Sequence, residues 1–129
     1  MGLVVVDTSV LVDHLRGHPG ARARLRAAIQ AGDELWSVTP VRTEILTGAR
    51  ERELEQVQDL FSVLRWLDVT TEVADRAGTL GAPFVRSHAG IDGVDLLVAA
   101  AAELLDARLL TLNVKHFPMV PDLERAYQG

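Results

Sequence analysis

Leu3-Val4-Val5-Val6 is an unbroken apolar run that stops abruptly on Asp7-Thr8-Ser9. A strand with one wet face alternates apolar and polar residues, whereas one covered on both faces of a parallel sheet reads as continuously apolar. Similar short runs recur at residues 35–38 and 108–112, and residues 67–69 offer a third candidate strand in between. The segments separating them carry helical spacing. Val10, Leu11 and Leu15 mark a short helix over 9–15, and residues 21–31 predict a second that ends at Gly32. Thr39 followed by Pro40 reads as a capping hydroxyl and a proline at the first helical position, opening a helix that stops near Gly48. Leu54, Val57, Leu60, Phe61 and Leu64 form one stripe over 51–64. Further helices are expected from Thr71 through Leu80 and, rich in alanine, over 95–105. Strands separated by helices predict an α/β fold with a parallel sheet and helices on both faces.

With 129 residues the chain suffices for one ordinary core, so one domain over 1–129 is expected. It has no cysteine, which removes a disulfide framework, a thiol nucleophile and cysteine-ligated zinc from consideration. No basic segment precedes the apolar start, and the apolar run over 96–102 is too short to span a bilayer. A cytoplasmic protein without membrane contact is therefore expected. The net charge of −5 argues against a polyanionic partner, but the charge is unevenly placed. Arg16, Arg22, Arg24 and Arg26 lie in a segment without acids, and Arg42, Arg50 and Arg52 fall near Glu44 in sequence.

In parallel sheets, sites form beyond the carboxyl ends of the strands. Asp7 ends the first strand, Glu44 lies one turn into the helix after the second, Asp95 opens the helix before the last, and Asn113 follows that strand. Singly, such residues are usually turn formers, helix caps or solvated positions. Their convergence at one sheet edge gives them a shared chemistry. Two carboxylates ~4 Å apart repel by roughly 4 kcal/mol at an effective dielectric near 20. A divalent cation relieves that repulsion, and all-oxygen ligands suit Mg²⁺ or Mn²⁺. Such an ion also serves phosphodiester hydrolysis. Ser9, two residues after Asp7, is placed to orient it, with a helix cap at Thr8 or Ser9 as the plainer role. Among four histidines without metal-type spacing, His14, His18 and His88 read as surface or loop residues. His116 stands near the inferred site, with a phosphate contact as its candidate role.

Val4-Val5-Val6-Asp7-Thr8-Ser9-Val10, Glu44 on a helix, the segment from Asp95 to Ala102, and Leu110-Thr111-Leu112-Asn113-Val114-Lys115-His116-Phe117 together resemble PIN-domain proteins, and within them VapC-type toxins of bacterial toxin–antitoxin pairs. The resemblance runs from about residue 3 to residue 123. It implies a three-layer α/β/α fold with a central parallel sheet of four to five strands. It further implies a Mg²⁺- or Mn²⁺-dependent endoribonuclease, a homodimer, an RNA substrate and a cognate VapB-type antitoxin. Asp7, Glu44 and Asp95 match the family's first three acidic positions. The fourth, often Asp, is Asn113 here, and His116 stands where many relatives carry another acid. Asp92 is a candidate substitute ligand or a helix cap. These departures leave open a non-catalytic alternative, a PIN-like domain that binds RNA or a partner protein. A receiver-type phosphoacceptor is a third reading, weakened by the lack of an acidic pair beside the first strand. The stripe over 51–64 with Phe61 and Trp66 serves either a partner groove or the core.

Overall fold

In a computed structural model, which describes residues 2–129, four parallel strands form the centre of the molecule. They are β1 (Leu3–Val6), β2 (Glu34–Val38), β3 (Arg65–Leu67) and β4 (Arg108–Leu110), in the spatial order β3-β2-β1-β4. Val4, Val5 and Val6 of β1 are fully buried, as a central strand requires. β1 pairs through Val5 with Trp36 on one side and with Leu109 on the other. Ser37 Oγ adds a buried hydrogen bond of 2.9 Å to the Val6 carbonyl.

Helices α1 (Thr8–Leu15), α2 (Pro19–Gln30), α3 (Thr39–Gly48) and α4 (Leu54–Ser62) pack on one another and cover one face of the sheet. α5 (Thr71–Gly81) and α6 (Gly93–Leu104) pair together, with α6 lying against β1, β2 and β4. The result is the three-layer α/β/α arrangement. α6 brings four buried alanines, Ala99 to Ala102, so its backbone can approach the sheet closely. At Gly81 a Cβ would stand 2.6 Å from Leu96 Cδ1, so the α5–α6 contact leaves room only for hydrogen. No helix among the described residues is long and apolar enough to cross a membrane.

Several boundaries differ from the sequence expectation, each for a local reason. The helix expected from residue 21 begins at Pro19, because His18 Nδ1 caps it by accepting from the N–H groups of Gly20 (2.9 Å) and Ala21 (3.3 Å). His18 is therefore a cap rather than a loop residue, and His14 is half-buried with an Nδ1 that has no hydrogen-bond partner among the described residues. Thr39 makes no cap. Val38 occupies that position, and Thr39 and Pro40 are already helical. The stripe over 51–64 splits into a 3₁₀ turn (Glu51–Glu53) and α4, and the next strand starts at Arg65 rather than 67. α5 starts at Thr71 as expected, and the Thr70 hydroxyl caps it by accepting from the Val73 N–H. The last strand ends at Leu110, and the described sheet has four strands. Phe61 is buried and Trp66 half-buried, edge-to-face at 5.0 Å, with the Arg42 guanidinium 4.5 and 4.8 Å above the two rings. Both rings thus serve internal packing, and Arg42 is tied to them.

Candidate active site

Parallel strands deliver their carboxyl ends to one edge, and an open cleft of about 410 Å³ lies there. It gathers Asp7, Ser9, Glu44, Asp92, Asp95, Asn113 and His116, the full set that the sequence singles out. Thr8, Val12, Asp13, Arg16 and Leu112 complete its wall.

Asp7 leaves β1 and becomes the residue before the first turn of α1, with only 3% of its surface exposed. Its Oδ2 accepts from Thr111 Oγ1 at 2.8 Å and from Ser9 Oγ at 3.0 Å. The two hydroxyls fix the carboxylate rotamer and spend one oxygen, leaving Oδ1 without a donor among the described residues. Thr111 also accepts from the Asn113 N–H (2.9 Å), and Ser9 from the Leu112 N–H (3.1 Å). Both hydroxyls thereby lock the chain leaving β4 against the start of α1.

Asp92 and Asp95 form a reciprocal capping box at the start of α6. Asp92 Oδ1 accepts from the Asp95 N–H at 2.8 Å, and Asp95 Oδ2 from the Asp92 N–H at 3.1 Å. Asp92 is therefore a cap as well as a cleft residue, and α6 opens two residues before Asp95. The carboxyl of Asp95 is pushed up to about 6, foremost by burial, with the charges of Asp92 and Asp7 adding to it. The Asp92 N–H and nearby His116 pull the other way. His116 Nδ1 stands 3.2 Å from Asp95 Oδ2. Its Nε2 edge lies so near Gly90 that a Cβ there would come to 3.1 Å, and the φ of +90° at that residue also favours glycine. The ring is thus held between Asp95 and the loop.

Glu44 sits exposed at the rim, its Oε1 accepting from Thr8 Oγ1 at 2.8 Å. Asn113 is exposed on the opposite wall. Among the described residues no three His, Cys, Asp or Glu side chains close around a single point. The donors are nonetheless all hard oxygens, and Asp95 feels the charge of Asp7. This fits Mg²⁺, which prefers one or two carboxylates and retains several waters.

The family model for the PIN domain matches residues 4–122. The chain belongs to the PIN-domain family. Within it this PIN domain is of the VapC type, being 46% identical over 123 residues to Ribonuclease VapC19 of Mycobacterium tuberculosis, across 95% of this chain and 98% of that one. It is also 38% identical to Ribonuclease VapC10 of the same organism, across 95% and 91% of the two chains. VapBC2 from Rickettsia felis, solved bound to a DNA fragment from their promoter, contains a chain of the same fold, with a TM-score of 0.78 at 21% identity over 94% of this PIN domain and 95% of that chain.

Sequence reasoning missed Thr111 and Asp13, and it set Arg16 in a basic segment without placing it in the cleft. Thr111 was legible as a hydroxyl inside an apolar run, a residue that needs a partner when buried. Val12, Asp13 and Arg16 follow Ser9 at helical intervals of three, four and seven, which places them on one face of α1. Of the arginines near Glu44 in sequence, Arg50 lines the groove that adjoins the cleft, whereas Arg42 is stacked on Phe61 and Trp66.

Proposed function

We propose that this protein is a Mg²⁺- or Mn²⁺-dependent endoribonuclease, the toxin of a bacterial type II toxin–antitoxin pair. The observation that carries the reading is the pairing of two buried carboxylates, Asp7 and Asp95, in an open cleft where burial and like charge raise the Asp95 carboxyl. The similarity to proteins named ribonucleases supports the activity. Asp7 and Asp95 would hold the cation, with Glu44 and Asn113 as further oxygen donors. When bound, the cation supplies neutralisation of phosphate charge and activation of water for hydrolysis of the phosphodiester.

The chain's own residues prepare that chemistry. Ser9 and Thr111 hold Asp7 in one rotamer, so Oδ1 meets its ligand without reorganisation. The capping box anchors Asp95 to the first turn of α6, and the helix dipole there favours negative charge. His116 orients Asp95 from the other side. Glu44, at the rim, is placed to orient an attacking water or to take its proton. Asn113 brings an oxygen without charge, so the cation faces one fewer anion than where that position is Asp.

A cognate VapB-type antitoxin and a second copy of the chain are the partners this reading carries. An apolar groove of about 470 Å³ between α1, α2 and α4, with Ile29 and Val63 half exposed on it, suits an amphipathic helix of such an antitoxin. The test is induced expression of wild type and Asp7→Asn followed by mapping of new RNA ends, with purified protein assayed with and without Mg²⁺. Asn keeps an acceptor for Ser9 and Thr111, so the fold should persist while Mg²⁺-dependent ends vanish. Equal cleavage by the variant would overturn the assignment. Absence of cleavage by wild type with RNA binding retained would favour the non-catalytic alternative.

A further inference from the structure

Arg16 lines the carboxylate cleft and, among the described residues, pairs with none of the carboxylates around it. It caps the carboxyl end of α1, is exposed, and lines both the cleft and the groove next to it. Each neighbouring acid is engaged elsewhere. Asp13 accepts from Tyr127 Oη (2.9 Å), Glu44 from Thr8, and Glu53 from the Arg50 N–H (2.8 Å), while Asp7 and Asp95 hold the partners described above. Among the described residues the Arg16 guanidinium has no ion pair or side-chain hydrogen bond. A guanidinium without a protein partner keeps its fork of N–H donors available to a phosphate.

The adjoining groove, of about 460 Å³, runs between α1, α3 and the Glu51–Glu53 turn. Leu15, Ile45 and Val57 lie beneath it, and its walls carry Arg16 and Arg50 together with Glu44 and Glu53, the latter held by the Arg50 N–H. Two guanidiniums spaced along one open groove match the successive phosphates of a single RNA strand.

We propose that Arg16 binds the phosphate next to the one that is cleaved, and that an unpaired RNA strand leaves the cleft along this groove toward Arg50. The inference rests on the ribonuclease reading and adds to it a phosphate contact and a strand path. Arg16 fixes the register of the strand over Asp7 and Asp95, and Arg50 extends the contact along the same strand.

The test uses Asp7→Asn protein, so that the RNA stays intact, and a fluorescein-labelled oligouridylate about a dozen nucleotides long, followed by anisotropy over a series of salt concentrations. Arg16→Gln should weaken binding about tenfold at low salt and flatten the slope of log affinity against log salt by about 0.7, the increment for one lost single-strand phosphate contact. Arg50→Gln should flatten it similarly. Arg65→Gln, at the amino end of β3 on the opposite edge of the sheet, should leave the slope unchanged. A base-paired form of the probe should bind more weakly than the unpaired strand. An unchanged slope for Arg16→Gln in a protein whose Asp7 form cleaves RNA would overturn this inference alone. If the Asp7 form neither cuts nor binds RNA, the ribonuclease reading fails and takes the strand path with it. Matching thermal midpoints for the variants would separate lost contacts from lost folding.

Discussion

Replacing Asp95 by Asn measures what the cleft costs the fold. Asp95 is 7% exposed and its carboxyl is pushed up to about 6, by burial first and by the charges of Asp92 and Asp7 second. An acid whose folded value lies above its unfolded value opposes folding once it ionises. The penalty is absent below about pH 4, grows as pH rises, and is complete above about pH 6. The difference corresponds to about 3 kcal/mol. Water in the open cleft screens the charge and reduces this to about 1–2 kcal/mol. Asn retains the shape and an oxygen that can accept from the Asp92 N–H, so the capping box survives. In urea denaturation with a chelator present, Asp95→Asn should therefore be more stable than wild type by about 1–2 kcal/mol near pH 7.5 and indistinguishable near pH 4. Added Mg²⁺ should stabilise wild type by mass action and leave the variant unmoved. If Asp95→Asn is less stable than wild type at both pH values, the reasoning fails, because the carboxylate would then be contributing more in contacts than it loses in desolvation.

Other substitutions separate the support of the site from its chemistry. Thr111→Val keeps the shape but removes the donor to Asp7 and the acceptor for the Asn113 N–H, so it should cost about 1–3 kcal/mol in urea denaturation, with Thr111→Ser restoring most of the loss. His18→Ala removes the cap of α2 and should cost about 1 kcal/mol, recovered by His18→Asn, with RNA cleavage by the purified protein unchanged. A cleavage defect in His18→Ala with stability intact would place that histidine in the chemistry instead.

The layer order of this protein was legible because its cause is local. An unbroken apolar run such as Leu3–Val6 has no wet face, and together with the alternation of strands and helices it points to a parallel sheet covered on both sides. Parallel connectivity in turn sends Asp7, Glu44, Asp95 and Asn113 to one edge before any coordinate is known. Boundaries were less legible, since caps depend on which side chain reaches the free N–H groups. A histidine at 18 and Asp92 do so here, whereas Thr39 does not. Only the tertiary structure decided how the carboxylates are held. Thr111 lies 104 residues from Asp7, and no sequence period relates two positions joined by neighbouring strands. It also decided which arginines reach the site: Arg42 is stacked on Phe61 and Trp66, while Arg16 lines the cleft. Sequence by itself determined which residues share an edge, through strand direction and side-chain period. Packing across the sheet determined what each of them touches, because hydrogen bonds and burial are set by neighbours that are distant along the chain.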